Sequence, residues 1–196
     1  VIPPPPISPR ALLTAAILLV ALAASGAPAA SAADPCTPMS LRPALTSPQA
    51  GDLYLRAGTA TCDSIEIELT AHDVARLFTV SFDLAYPADL LKYEGYSEGP
   101  VLVQGPPRQA PFFLVQNPSP GILLASMTRM APDTSVAASG SAGILRLRFR
   151  KVASGTGTVD FLSGDTSAIS ERVVDSQGQI VATRWTPGHG ATVVVP

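Results

Sequence analysis

Charge is scarce in this chain, and that scarcity is the first constraint. Only 14% of the 196 residues are charged, and Lys plus Arg (13) nearly balance Asp plus Glu (15) at a formal net charge of −2. A nucleic-acid binder carries a basic excess, and none exists here. Histidine is limited to His72 and His189. Neither has a second ligand at metal-binding spacing, so no zinc site is expected. The EF-hand pattern is missing, which leaves "SGDTS" and "VDSQG" as the only oxygen-rich loops suited to calcium, and no metal is expected in either. The nucleophile-elbow pattern Gly-x-Ser-x-Gly is also missing. Ser141, His189 and Asp160 form a Ser-His-Asp set only on paper. Asn117 is followed by Pro118, which removes the one candidate glycosylation motif. No stretch keeps the 3.6-residue period of a long helix outside the N-terminal region. These gaps argue against an enzyme and against any cofactor.

Proline and glycine are plentiful by contrast, at 20 and 15 residues. They punctuate short apolar runs, as in all-β proteins. The one long apolar run, residues 11–24 ("ALLTAAILLVALAA"), follows Arg10 and precedes "SGAPAASAA". A cationic start, a short apolar stretch and an Ala-x-Ala end describe a secretory signal peptide over residues 1–33. The run falls short of the roughly 20 residues that a spanning helix needs, so no membrane span is expected after cleavage. Residues 34–50 are Pro-rich and aperiodic, and read as an irregular lead-in to a domain over 51–196. The expected setting is the extracellular space or the cell surface. Two cysteines, Cys36 and Cys62, fit a disulfide in that compartment.

Strand signals then follow one another along the chain. "DLYLRAG" (52–58) and "SIEIELTA" (64–71) alternate, with Glu66 and Glu68 on a solvated face. "LFTVSFDLAY" (77–86) puts Phe78, Val80, Phe82, Leu84 and Tyr86 on one side and Thr79, Ser81 and Asp83 on the other. "APFFLVQ", "GILLASMT", "GILRLRFRKV", "GTVDFLS", "SAISERVVD" and "GQIVATRW" follow at short spacings, and "GATVVV" closes the chain. Residues 129–142 read as a loop, and His72 as part of another. The pattern predicts a jelly-roll β-sandwich of about nine strands. Within "GILRLRFR", Leu145, Leu147 and Phe149 face the core, while Arg146, Arg148 and Arg150 share the opposite face. Three like charges in a row call for a binding partner or for cross-strand carboxylates such as Asp83 or a glutamate.

The block "FTVSFDLAYPADLLKYEGYSEGPVL", the strands "GILLASMT" and "GILRLRFRKV", the segment "SERVVDSQGQIV" and the final "GATVVV" occur in an order that resembles the cohesin family across residues 52–195. Cohesins are non-catalytic jelly-roll modules that bind dockerins and are related in fold to carbohydrate-binding modules. The resemblance implies a protein partner, a dockerin-like module, in an assembly linked to extracellular polysaccharide degradation. It places the partner on one sheet face made by Thr79, Ser81 and Asp83, by Ile122, Leu124 and Ser126 (with Thr128), and by Arg146, Arg148 and Arg150. The alternative is a carbohydrate-binding module. Its sugar platform would have to come from Trp185, Tyr93 and Tyr96, the aromatics that alternation does not send into the core.

Overall fold

The computed structural model describes residues 36–105, 110–163, 171–185 and 189–196. They belong to a unit spanning Pro35–Pro196, distinct from Val1–Asp34. The expected signal peptide, and the "SGDTS" loop beyond Ser163, lie outside the described residues. Every regular element among those residues is a strand. In chain order these are β1 (Ser40–Pro43), β2 (Asp52–Ala60), β3 (Ser64–Leu77), β4 (Thr79–Ala85), β5 (Leu91–Glu98) and β6 (Phe112–Ser119). They continue as β7 (Ile122–Thr128), β8 (Val136–Lys151), β9 (Gly155–Leu162), β10 (Arg172–Val174), β11 (Ile180–Val181) and β12 (Ala191–Val195).

Two antiparallel sheets result. One has the order β2-β3-β8-β5. The other runs β1-β12-β9-β4-β10-β11, and β7 and then β6 extend it from the far edge of β4. One edge of β4 is shared end to end. Thr79–Ser81 pair with β10, and Asp83–Ala85 pair with β9. The inward side chains of the two sheets meet in a single core. Leu53, Leu55, Ile65, Ile67, Leu145, Leu147 and Phe149 face Val80, Phe82, Leu84, Leu123, Met127, Val159 and Val193. Trp185 is 5% exposed and packs on Phe82 and Phe161, with its Nε1 donating to Thr183 Oγ1 at 2.8 Å.

Several expectations need correction. The lead-in is not wholly irregular: β1 pairs with β12 from Ser40↔Val194 to Pro43↔Ala191, so the domain starts before residue 51. The Cys36–Cys62 disulfide is present and joins this lead-in to the β2–β3 turn. His72 lies within β3, not in a loop. Residues 136–142 belong to β8. Apart from Val136 their side chains are Ala, Ser and Gly and give no hydrophobic alternation, so pairing with β3 rather than propensity makes them a strand. Phe78 sits half-buried between β3 and β4, outside the core. Ile144 and Leu145 are adjacent yet both fully buried. The register explains this, because Leu69 pairs with Leu145 while Thr70 pairs with Gly143, leaving Ile144 as the extra residue of a bulge.

Candidate functional site

The expected partner residues divide between the two sheets. Thr79, Ser81 and Asp83 on β4 pair with Thr128, Ser126 and Leu124 on β7, and Ala85 pairs with Ile122. Arg146, Arg148 and Arg150 lie on β8, in the other sheet. Alternation correctly gave which face of its own strand each arginine occupies. It carries no information about which sheet a strand joins, and the single composite face is therefore overturned.

The β4–β7 patch extends further than the sequence indicated. β6 flanks β7, with Phe112↔Thr128, Leu114↔Ser126 and Gln116↔Leu124. Cross-strand rows therefore run Phe112–Thr128–Thr79–Val174, Leu114–Ser126–Ser81–Arg172 and Gln116–Leu124–Asp83–Leu162. Phe112 and Leu114 are 53% and 40% exposed. Both escaped the sequence reading, although their alternation in "FFLVQ" was the available signal. The centre of the face is a ladder of hydroxyls. Thr79 and Thr128 Oγ1 are 2.7 Å apart, and Ser81 and Ser126 Oγ are 2.9 Å apart. Thr128 Oγ1 donates to Arg129 O at 3.0 Å, so the Thr79 hydroxyl donates to Thr128. The hydroxyls pair with each other across β4 and β7, and the apolar side chains of β6 lie beside them.

One border of that surface is acidic. Asp83 is 1% exposed at the point where β4 meets β9. Burial pushes the carboxyl of nearby Glu171 above the ordinary carboxylate range, and the charges of Asp83 and Asp160 push it further. At the opposite end of β7, the guanidinium of Arg129, in a residue 5% exposed, donates to Thr134 O at 2.9 Å and Gln104 O at 3.1 Å. It also bonds Leu102 O. The loop after β5 is thereby fixed to the loop after β7.

The arginine row is neutralised by its own sheet. Glu68, whose side chain is 5% exposed, lies 2.6 Å from Arg56 Nε and 3.2 Å from Arg146 Nε. Glu94 lies 3.2 Å from Arg150 and 3.7 Å from Arg148. The carboxylates come from β3 and β5, not from Asp83. Glu68 is therefore a buried bridge between two cations, contrary to its expected solvation. Two glycines make these bridges fit. A Cβ on Gly143 would collide with the Glu68 carboxylate. Gly95 adopts φ +150° at the β5 bulge that inserts Glu94 between Tyr93 and Gly95.

The remaining candidates resolve simply. Asp175 Oδ1 accepts from the backbone of Gln177 and Gln179, and its Oδ2 meets Arg76 Nη1 at 2.9 Å, so the "VDSQG" carboxylate is occupied by protein donors. Among the described residues no group of three or more His, Cys, Asp or Glu is placed to hold a metal ion. His189 Nε2 lies 3.3 Å from Asp52 Oδ1, and Asp160 Oδ1 accepts from Phe161 N. Neither serves Ser141. Burial pushes the Asp52 carboxyl up, but the Gln49 N–H, Arg184 and His189 outweigh it and hold the group below the usual range. The three candidate sugar-binding aromatics do not form one platform. Trp185 is buried, Tyr96 stacks on Phe113 at 6.3 Å, and Tyr93 packs edge-on to Phe149. Burial and the neighbouring Tyr96 and Tyr86 phenols push the Tyr93 hydroxyl up to about 12.

No family profile matches the chain, and no curated protein matches its sequence. Solved structures do match. A type II cohesin domain from the cellulosome of Acetivibrio cellulolyticus aligns at TM-score 0.52 and 13% identity, over 74% of this chain and 94% of that one. The sixth cohesin of scaffoldin B from the same organism, solved in complex with a dockerin, aligns at 0.52 and 16% over 70% and 95%. A cohesin module from a Clostridium perfringens family 33 glycoside hydrolase aligns at 0.51 and 8% over 75% and 96%. With its two-sheet topology, the domain is an all-β sandwich of the cohesin fold.

Proposed function

We propose that this domain is an exported, non-catalytic binding module that captures a protein partner of dockerin type on the outer face of β6, β7 and β4. The observation that carries this reading is the face itself. Phe112, Leu114, Leu124 and Ile122 give it apolar contact area, while the Thr79–Thr128 and Ser81–Ser126 pairs keep the hydroxyls of its middle hydrogen-bonded. An interface of this build has a water-excluding centre and a polar rim, here supplied by exposed Gln116 and Arg172. The solved cohesin of the same fold that holds a dockerin supports the partner class. The disulfide and the signal-like N-terminus support export. Arg146, Arg148 and Arg150 belong to the other sheet and take no part in this contact.

The test is binding of a panel of purified dockerin modules to the intact domain by calorimetry. Wild type is expected to bind at least one of them. Leu124→Arg and Phe112→Asp each weaken that complex by at least about 30-fold, the loss of a central contact of about 2 kcal/mol, while Arg148→Glu leaves it unchanged. Loss with Arg148→Glu, or retention with both face variants, overturns the assignment of the face. Retention on insoluble polysaccharide with no dockerin bound would favour the carbohydrate-binding alternative.

A further inference from the structure

The chain leaves the larger sheet at Tyr86 and enters the smaller one at Leu91, and beside this crossing lies a recess of about 370 Å³. The Tyr86 backbone N–H donates to Gly121 O in the β6–β7 turn at 2.9 Å. Pro87 stops the strand, and its carbonyl accepts from Leu90 N and Leu91 N, which turns the chain toward β5. The outer edges of β5 and β6 meet only in part. Tyr96 donates from its hydroxyl to Phe113 O at 3.3 Å and stacks on the Phe113 ring, whereas Asn117, four residues further along β6, bonds Tyr86 instead. The walls of the recess are apolar: Tyr86, Ala88, Leu91, Tyr93, Pro120 and Val152. Phe149 backs the Tyr86 and Tyr93 rings at 5.1 and 5.9 Å. Two polar side chains in the lining have hydrogen-bonding capacity to spare. Asn117 Nδ2 donates to the Tyr86 hydroxyl at 2.6 Å, which leaves Asn117 Oδ1 and a second N–H. The Tyr93 hydroxyl has no hydrogen-bond partner among the described residues. Burial, with the Tyr96 and Tyr86 phenols, pushes it up to about 12, so it stays a neutral donor at physiological pH.

We propose that this recess binds a small neutral phenol, with its ring against Tyr86, Leu91 and Tyr93 and its hydroxyl on Asn117 and Tyr93. Three observations select that ligand. The volume lies at the small end of the roughly 300–1,000 Å³ that small-molecule sites occupy, which suits one ring with a short substituent. The walls present aromatic rings and aliphatic carbon, so they match a flat apolar ring. A sugar would instead press unpaired hydroxyls against them. Asn117 Oδ1 accepts and the Tyr93 hydroxyl donates, so a phenol hydroxyl, which does both, serves each group, and a hydrocarbon serves neither. In doing so it takes the place of water at both. Lys92, the charged residue of the lining, is exposed, and its ammonium stays in water. No residue of the proposed docking face lines the recess, so the two readings stand independently.

The experiment is calorimetric titration of the intact domain with 4-methylphenol and with 4-methylanisole, in which the hydroxyl is methylated. 4-Methylphenol is expected to bind at one site with a Kd of about 1 mM or below, the range open to a ligand of this size. 4-Methylanisole binds about 5-fold more weakly, the worth of one neutral hydrogen bond. Tyr93→Phe and Asn117→Ala each narrow that preference toward unity, which a purely structural role would not do. Ala88→Leu fills the recess and weakens 4-methylphenol binding at least about 10-fold. Val152→Trp, at a position 54% exposed, does the same from the mouth and covers a failure of Ala88→Leu to fold. No binding of 4-methylphenol up to about 10 mM, undiminished binding in the filling variants, or an unchanged preference in both Tyr93→Phe and Asn117→Ala overturns the proposal. N-acetyltyrosinamide bound more than about 10-fold tighter than 4-methylphenol would make the recess a seat for a partner's tyrosine and overturn the small-molecule assignment.

Discussion

Glu68→Gln asks whether the arginine row is a structural ladder. The substitution keeps the shape of the side chain, so the close approach to Gly143 is undisturbed. It removes the one charge that lies between Arg56 and Arg146. Breaking a fully buried pair by removing one partner costs about 3–5 kcal/mol. Here the carboxylate is buried but the guanidiniums are 40% and 42% exposed, so water screens both contacts and re-solvates the freed cations. The expected loss is therefore about 1–2 kcal/mol, well below the buried limit and above a surface pair. In urea unfolding this moves the midpoint down by about 0.5–1 M with an unchanged slope. Part of the loss should disappear in 1 M salt, where exposed cations no longer repel across the row. Arg148→Ala, whose contact to Glu94 is 3.7 Å with the arginine side chain 59% exposed, is the control and should change stability by less than about 0.5 kcal/mol. A Glu68→Gln midpoint equal to wild type, or a larger loss for Arg148→Ala, would refute the ladder.

Two further outcomes follow from the remaining polar contacts. Asp52 is ionised more readily in the folded chain than in the unfolded one, so its contribution is present above its ordinary pKa near 3.8 and fades as pH falls below it. Asp52→Asn should therefore lose most stability at neutral pH and converge with wild type under strong acid, as followed by thermal unfolding from pH 7 to pH 2. The Cys36–Cys62 bridge spans a sequence separation of 26 residues, which gives about 3–4 kcal/mol by chain entropy. The double Cys→Ser variant should lose that amount by urea unfolding without reductant, and wild type with reductant should match it.

The strands with large apolar residues at alternate positions were legible in the chain. β4 with Val80, Phe82 and Leu84 and the second half of β8 with Leu145, Leu147 and Phe149 carry their burial pattern in their spelling. The strands that escaped lack that code. β1 is four residues of "SLRP", held by its pairing with β12, and the first half of β8 is Ala, Ser and Gly after Val136. That β4 and β7 lie side by side was implied by the family resemblance and not by their alternation, and the strand pairing agrees with it. The flanking β6, which contributes Phe112 and Leu114, was read as a strand but had no assigned neighbour. The Asn117–Tyr86 contact was hidden for the same reason, since 31 residues separate partners that only strand pairing joins.

The sequence by itself determined that this is an all-β sandwich with little charge, and which side of each well-patterned strand meets the core. Those properties depend on local period and composition, which neighbouring residues record. Only the tertiary structure decided which strands share a sheet. That assignment rests on long-range pairing and on bulges such as the one at Ile144, where one extra residue reorients the rest of the strand. It moved Arg146, Arg148 and Arg150 to the sheet opposite the β4–β7 face and gave them Glu68 and Glu94 as partners. It also brought Tyr86, Tyr93 and Asn117 to one recess.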